Sequence, residues 1–491
     1  MKSSLNFLSL LAVGFFGIQT GSHALTLIAS EADWEALPTT ATDNLALSSD
    51  IVFTASPKQI DLGSYNFDGR HHTIQLPAGS FTGLFKLSGG HIQNLNIDLA
   101  SASLASSAGA LVAGSSDTTS NNYGQLTRCS VYSSTGTAIS GADSCGGLVG
   151  ENFGNGSSRI SDCISSLDIN ESDLSGGIAG PGFYGTIANC QMKGSLGVDS
   201  RNCGGILSSD RPALGIASTI TQCVMSGNVN GILSGGIVGQ SFNSPISKSI
   251  MTGTTQSDTA GAILGQWQST TNGEVDILTD CYVASTDAST GSSMIAMVSS
   301  VVWNVTLRVK NSYMVNEDSL ANSSSRSIVN SLTYTFATST NSFVFDNTYG
   351  ASAAANTVSS AADKGWTVDS STYSSDTSSL EGSFDSSWDS SIWEAVSTGY
   401  PLLKVFKSSL WVGYGNYAES PEIPPHLQLA ANAGNIELSW PGFWSDWSPQ
   451  VCTDLGSGSW DAVSESVTGE TTQSLSVSTS GGGAKFFRLT Q

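Results

Sequence analysis

Two short phrases recur in step through the middle of this chain. The first reads GGLVG at residues 146–150, GGIAG at 176–180, GGILS at 204–208 and GGIVG at 235–239, with looser copies from Gly109 (GALVAG) and Gly261 (GAILG). The second follows each copy: RISDC ending at Cys163, TIANC at Cys190, TITQC at Cys223, PISKS at Ser249 and ILTDC at Cys281. Measured at the glycine before the aliphatic pair, the copies start at Gly109, Gly147, Gly177, Gly205, Gly236 and Gly261, which are 38, 30, 28, 31 and 25 residues apart. Repeats of this length make a stacked, quasi-one-dimensional protein, because each unit buries its apolar face only against its neighbours. No amphipathic helical period fits inside the unit, so helical repeats are excluded. What remains is an all-β solenoid whose coil holds about three short strands and three turns. In the unit at residues 236–255 those strands are expected at 236–239, 246–250 and 251–255.

Stacked coils place equivalent side chains about 4.8 Å apart, so equivalent positions form columns. One predicted column is Leu148, Ile178, Ile206, Ile237 and Ile263; another is Ile160, Ile187, Ile220, Ile246 and Leu278. Both are aliphatic throughout and are assigned to the core. Of the eight cysteines, five share a column: Cys129, Cys163, Cys190, Cys223 and Cys281, broken only by Ser249. Cys145 and Cys203 share another with Ser175, Ser234 and Ala260. Exchange with Ser and Ala marks a small buried side chain and favours a ladder of free thiols. A bridge between neighbours such as Cys163 and Cys190 stays open, since exported proteins form disulfides. Metal is not supported, because there is no CxxC and a column offers no tetrahedral geometry.

Arg128, Asp162, Asn189, Gln222, Lys248 and Asp280 stand immediately before the thiol column. Arg128 over Asp162 and Lys248 over Asp280 read as opposite charges compensating between coils, each pair contributing about 0.2–1 kcal/mol. The doubled histidine His71-His72 is read as a turn leading into a strand, because adjacent strand residues face opposite ways.

Only 12% of residues are charged, and 18 basic against 40 acidic residues leave a net charge of −22. That balance argues against nucleic acid and against anionic lipid. No acidic loop of the calcium-binding kind accompanies it. Lys2, the apolar run at residues 8–18 and the small residues Ser22 and Ala24 form an export signal, cleaved near Ala24 and predicting a secreted or cell-surface protein. The run is too short for a permanent membrane span.

The expected order is therefore a signal peptide (1–24), an N-terminal cap with a short helix (25–44), a β-helix (45–407), a linker (408–425) and a β-sandwich module (426–491). Ser30 and Asp33 form a capping box for a helix at 31–37, whose Trp34 and Leu37 share a face suited to plugging the first coil. Residues 308–314 look like one more, degenerate coil, and the aromatic-rich stretch 384–404 closes the stack. Strands are expected at 436–440, 450–453, 471–477 and 484–489, in a module related to fibronectin type III.

The two phrases resemble the GLUG repeat of bacterial exported proteins. FDGRHHTI (67–74), GLFKLSGGHIQNLNI (83–97) and WEAVSTGYPLLK (393–404) resemble that family's opening, continuation and ending, together covering roughly residues 45–405. Arg70 and His71 depart from the usual Asn-Gly of its first turn. The resemblance implies a right-handed parallel β-helix of the kind found in adhesins and surface proteins, with no catalytic residues to carry over. GLUG repeats also accompany immunoglobulin A peptidases, but this chain has no HExxH zinc motif. The C-terminal stretch, from IELSW to FFRLT, is similar to short β-modules ending secreted proteins of marine bacteria.

The leading expectation is a non-enzymatic surface or adhesion-type protein binding carbohydrate, cell-surface or protein ligands, with no catalytic, cofactor or metal residues assigned. Trp267, Trp303 and Trp411 are the candidates for stacking on sugars, with packing as their alternative. The second expectation is a polysaccharide lyase or glycoside hydrolase, which would draw on Arg159, Asp162, Arg201, Asp210 and Arg211, the last three placed on one longer turn.

Overall fold

The structure, a computed structural model, describes residues 25–114, 123–136, 138–140, 142–197, 199–210, 218–242, 244–255, 259–269, 273–285, 293–300, 305–316, 328–333, 341–346 and 348–350, and beyond these short stretches between 367 and 490. The expected signal peptide and linker lie outside the described residues.

One strand per coil builds the longest sheet: thirteen parallel strands, from Leu25–Ile28 through Arg159–Ser161 and Val305–Lys310 to Thr367–Asp369. A second parallel sheet stacks twelve strands, from Ile51–Val52 to Tyr373–Ser374. A third holds five, from Leu207–Ser209 to Val329–Thr333. The chain is therefore a parallel β-solenoid. Its coil is more subdivided than three strands require, because single bridges link Ile169, Leu196, Val229 and Thr255 into a further ladder.

Register confirms the columns. In the longest sheet Ile160, Ile187, Ile220, Ile246 and Leu278 are successive partners, and the column runs down to Phe67 and Leu45 and up to Val309 and Phe345. All of these side chains are buried. The second aliphatic column is tied the same way, Leu148 N–H donating to the Ile178 carbonyl at 3.0 Å and Ile178 to Ile206 at 3.1 Å. Each fully buried Ile or Leu contributes about 1.5–3 kcal/mol of apolar transfer, so the columns are the principal stabilising term.

The glycine pair is a bend rather than the start of a strand. A Cβ on Gly176 would run into the Ala179 carbonyl, and one on Gly177 into the Gly205 carbonyl of the next coil and the Met192 sulfur. After isolated bridges at Gly235 the strand accordingly begins later than expected, at Val238–Ser241, and pairing resumes as Ile246–Ser247 and Ile250–Met251. Residues 308–314 belong to a full coil, Val305–Lys310 and Tyr313–Asn316, and another follows at Ser342–Asp346 and Thr348–Gly350.

At the N-terminus the helix is Glu31–Ala36. Ser30 Oγ accepts from Asp33 N–H at 3.2 Å, and Asp33 Oδ2 accepts from Ala29 N–H at 3.0 Å. Trp34 is buried against Phe53, Phe67 and Phe85, with ring centroids 5.5–6.1 Å away. Stacking starts inside this cap rather than after it, since Leu25–Ile28 pairs with Asn44–Leu47. Near the other end, Trp393–Glu394 pairs antiparallel with Leu402–Leu403. Beyond it the described strands form two antiparallel sheets of three: Gln428–Asn432, Asn435–Pro441 and Thr472–Ser478, and Ser448–Cys452, Asp461–Ala462 and Phe486–Thr490. Among the described residues no helix is long and apolar enough to cross a membrane.

Candidate functional site

The chemistry-bearing residues of the repeat gather at two corners of the coil, and both corners are built alike. At the first, Asn94, Arg128, Asp162, Asn189, Gln222, Lys248, Asp280 and Asn311 all have φ between 45° and 57°. One left-handed residue turns the chain from the longest sheet into the second, and its N–H reaches the next coil, as Asp162 N–H does to the Ala188 carbonyl at 3.1 Å. Short polar residues tolerate this conformation best, which is the main reason the column is polar. Charge compensation is secondary. Asp162 Oδ1 accepts from Asn189 Nδ2, and Asp280 Oδ1 from Asn311 Nδ2, both at 3.1 Å. Burial raises the Asp162 pKa, while Asn189, Ser161, Arg128 and Arg159 pull it down less strongly. Cross-coil ion pairs also occur on the outer face, Arg308 with Glu274 at 2.7 Å and Lys310 with Asp276 at 3.9 Å.

The second corner repeats the device with Ser144, Leu174, Asn202 and Leu233 at φ 50–61°. In both corners the small-residue column comes next. Cys163 Sγ donates to the Ser161 carbonyl at 3.2 Å and Cys203 Sγ to that of Arg201 at 3.4 Å, each two residues back. Ser249 Oγ makes the same bond to Ser247 at 2.9 Å. The side chain then accepts from the coil below: Cys223 N–H donates to Ser249 Oγ at 3.2 Å, Cys203 N–H to Ser234 Oγ at 3.2 Å and Ser175 N–H to Cys203 Sγ at 3.4 Å. A niche needing a small group that both donates and accepts explains why Cys and Ser alternate. The column continues as Ser312 and Thr348, two members that carry no sulfur to mark them in the sequence. None of the eight cysteines is bridged by a disulfide, and all are buried. Burial pushes Cys145 up to about 11 and Cys203 and Cys281 up to about 12, so these thiols stay protonated and unreactive at neutral pH.

The residues proposed for polysaccharide chemistry are dispersed. Arg159 opens a strand of the longest sheet with its side chain exposed, three residues before the corner residue Asp162. Arg201 bridges Asp173 and Ile232 on the far side of the glycine bend from Asp210, so the two do not share one turn. Arg211 lies outside the described residues. Asp210 is 1% exposed. Its carboxylate accepts from Phe242 N–H at 2.7 Å and Ser244 N–H at 3.2 Å, with Ser241 Oγ at 3.5 Å. Burial raises its pKa against those hydrogen bonds. This is a staple between coils.

Trp267 is fully buried, which removes it as a sugar platform; Trp303 and Trp411 lie outside the described residues. Arg70 and His71 form a positive-φ turn, and His72 Nδ1 lies 3.2 Å from Asp50 Oδ1 before the strand Thr73–Gln75 begins, as expected of a structural turn. Burial, then Arg128, lowers the His91 pKa to about 4, and its Nε2 lies 3.0 Å from Thr127 Oγ1. A cleft of about 330 Å³ opens at the N-terminal end, walled by Thr26, Leu27, Asp33, Leu37, Asp43, Leu45 and Ile60 among others. No group of three or more metal-ligating side chains occurs among the described residues. No family model matches the chain, and comparison with curated proteins and with solved structures gives no match.

Proposed function

We propose that this chain is an exported, non-enzymatic scaffold of the surface or adhesion type. In this reading a right-handed parallel β-helix related to GLUG repeats carries a small C-terminal sandwich related to fibronectin type III and presents ligand-binding surface to carbohydrate, cell-surface or protein partners. The observation that carries it is the use made of the acids inside the repeat. Asp162 and Asp210 are buried, and their carboxylates accept hydrogen bonds from the next coil, the work of a scaffold. The C-terminal strands support a sandwich because Val451 pairs with both Asp461 and Phe487 while Leu438 pairs with Leu429 and Leu475, making two separate three-stranded antiparallel sheets.

Immobilised full-length protein is to be tested for retention of glycans from an array, of whole cells and of matrix proteins, beside an activity assay on a polysaccharide panel that reads new reducing ends and unsaturated products. Retention without turnover is the expected result. Turnover of any polysaccharide, or retention of none of the three ligand classes, overturns it.

A further inference from the structure

The N-terminal end of the stack leaves both backbone and apolar surface open. Leu25–Ile28 is the first of the thirteen strands and, among the described residues, pairs on one side only, with Asn44–Leu47. Ser48 N–H donates to the Ile28 carbonyl at 2.9 Å. Peptide groups alternate sides along a parallel strand, so the N–H and C=O of Leu27 point to the open side. Leu27 is 52% exposed, and Val52, on the first strand of the second sheet, is 61% exposed. Inside the edge strand, the column that continues as Leu45 and Phe67 begins with Thr26, a small polar residue where the later coils carry large apolar ones. The 330 Å³ cleft lies over this gap, with Leu37, Leu45 and Ile60 as apolar walls. Its lining carries the carboxylates of Asp33 and Asp43 and no cationic side chain.

We propose that this end is a β-augmentation site for an extended partner segment that carries apolar and basic side chains together on its cleft-facing side, at every second position. The segment adds a strand outside Leu25–Ile28, bonding to the peptide groups of Leu27. One apolar side chain enters the cleft above Leu45 and Ile60, and Lys or Arg side chains meet Asp33 and Asp43. Backbone pairing supplies affinity and the cleft supplies selectivity. A second copy of this chain is the poorer occupant, because it brings the same two carboxylates and a net charge of −22. The proposal goes beyond the scaffold reading and does not depend on any ligand carried by the flanks of the stack.

Fluorescence anisotropy with the labelled octapeptide Lys-Thr-Val-Thr-Lys-Thr-Val-Thr, whose Val and Lys share one face, tests it, with the same peptide carrying Glu for Lys as the charge control. Saturable binding of the Val–Lys peptide is expected, weakening as salt rises, with the Val–Glu peptide at least about tenfold weaker. Leu27→Pro removes the outward N–H and should weaken binding at least about tenfold, whereas Leu27→Ala keeps it and should stay within about threefold. Thr26→Phe fills the cleft without altering the outward peptide groups and should also weaken binding, which keeps the test decisive if Leu27→Pro melts early. Equal binding of the two peptides, no binding of Val–Lys, or full binding by both Leu27→Pro and Thr26→Phe overturns the proposal. A sedimentation dimer that Leu27→Pro dissolves also overturns it, by assigning the edge to a second copy.

Discussion

Gly177→Ala is the sharpest test of how the repeat closes. The added methyl would sit about an ångström inside the 3.0 Å that real Cβ atoms keep from the Gly205 carbonyl oxygen, and would also meet the Met192 sulfur. Met192 can move aside, because its side chain has three rotatable bonds. The Gly205 carbonyl cannot, since it belongs to the backbone of the coil above. Relief therefore requires the two coils to part locally by about 1 Å, which stretches Gly177 N–H to Gly204 (3.0 Å) and Ile178 N–H to Ile206 (3.1 Å) beyond hydrogen-bonding range. Two lost bonds at about 1 kcal/mol each, with about 1–3 kcal/mol of overpacking, predict a destabilisation of about 3–5 kcal/mol. Urea unfolding measures the total, and hydrogen exchange should show the Ile178 and Ile206 amides losing protection. A loss below about 1 kcal/mol would refute the reasoning. So would rescue by Gly177→Ala/Met192→Ala, because the obstruction would then be a side chain.

Three further outcomes follow from the corners. Asp162 has a folded pKa raised by burial, so its contribution to stability is full below the unfolded carboxyl value and is lost as pH rises through the folded one. Asp162→Asn keeps the acceptor for Asn189 and suits the left-handed corner, so its melting temperature should gain on the parent between about pH 4 and pH 7; a constant or shrinking gap refutes this. Native protein should leave a disulfide-exchange reagent unreacted at pH 7 and at pH 9, and all eight thiols should react in denaturant; rapid native labelling, or fewer than eight in denaturant, counts against the ladder. Ser249→Cys should be close to neutral, whereas Ser249→Val leaves Cys223 N–H without its acceptor and should cost about 1–3 kcal/mol.

The core was legible in the sequence because a solenoid converts spacing into contact. Ile160 and Ile187 are 27 residues apart in sequence and register partners on adjacent strands in the structure. The boundaries of strands were less legible. Gly235 and Gly236 look like the start of a strand, but a Cβ on Gly235 would strike the Val238 carbonyl across its own bend and one on Gly236 the Ala262 carbonyl of the neighbouring coil, and neither obstruction is visible in the local sequence. The coils after residue 285 were underread because Ser312 and Thr348 fill the cysteine niche with a different heavy atom and no glycine pair announces them. The proposed grouping of Arg201 with Asp210 failed for a related reason: the eight residues between them, read as one loop, hold the glycine bend and a strand. Trp267 shows the same limit, since a tryptophan in a polar stretch gives no sign of which way its strand faces.

The direction of the hydrogen bonds in the longest sheet has a mechanical consequence. They run from coil to coil, along the axis of the stack, and thirteen strands at a spacing of about 4.8 Å make a rod about 58 Å long. Tension applied between the ends loads these ladders in series, so one coil peels away before the next is strained. Each released unit of 25–38 residues would add on the order of 100 Å of extended chain. A protein held at one end and pulled at the other would lengthen in steps, taking up strain coil by coil while the remaining coils kept their shape.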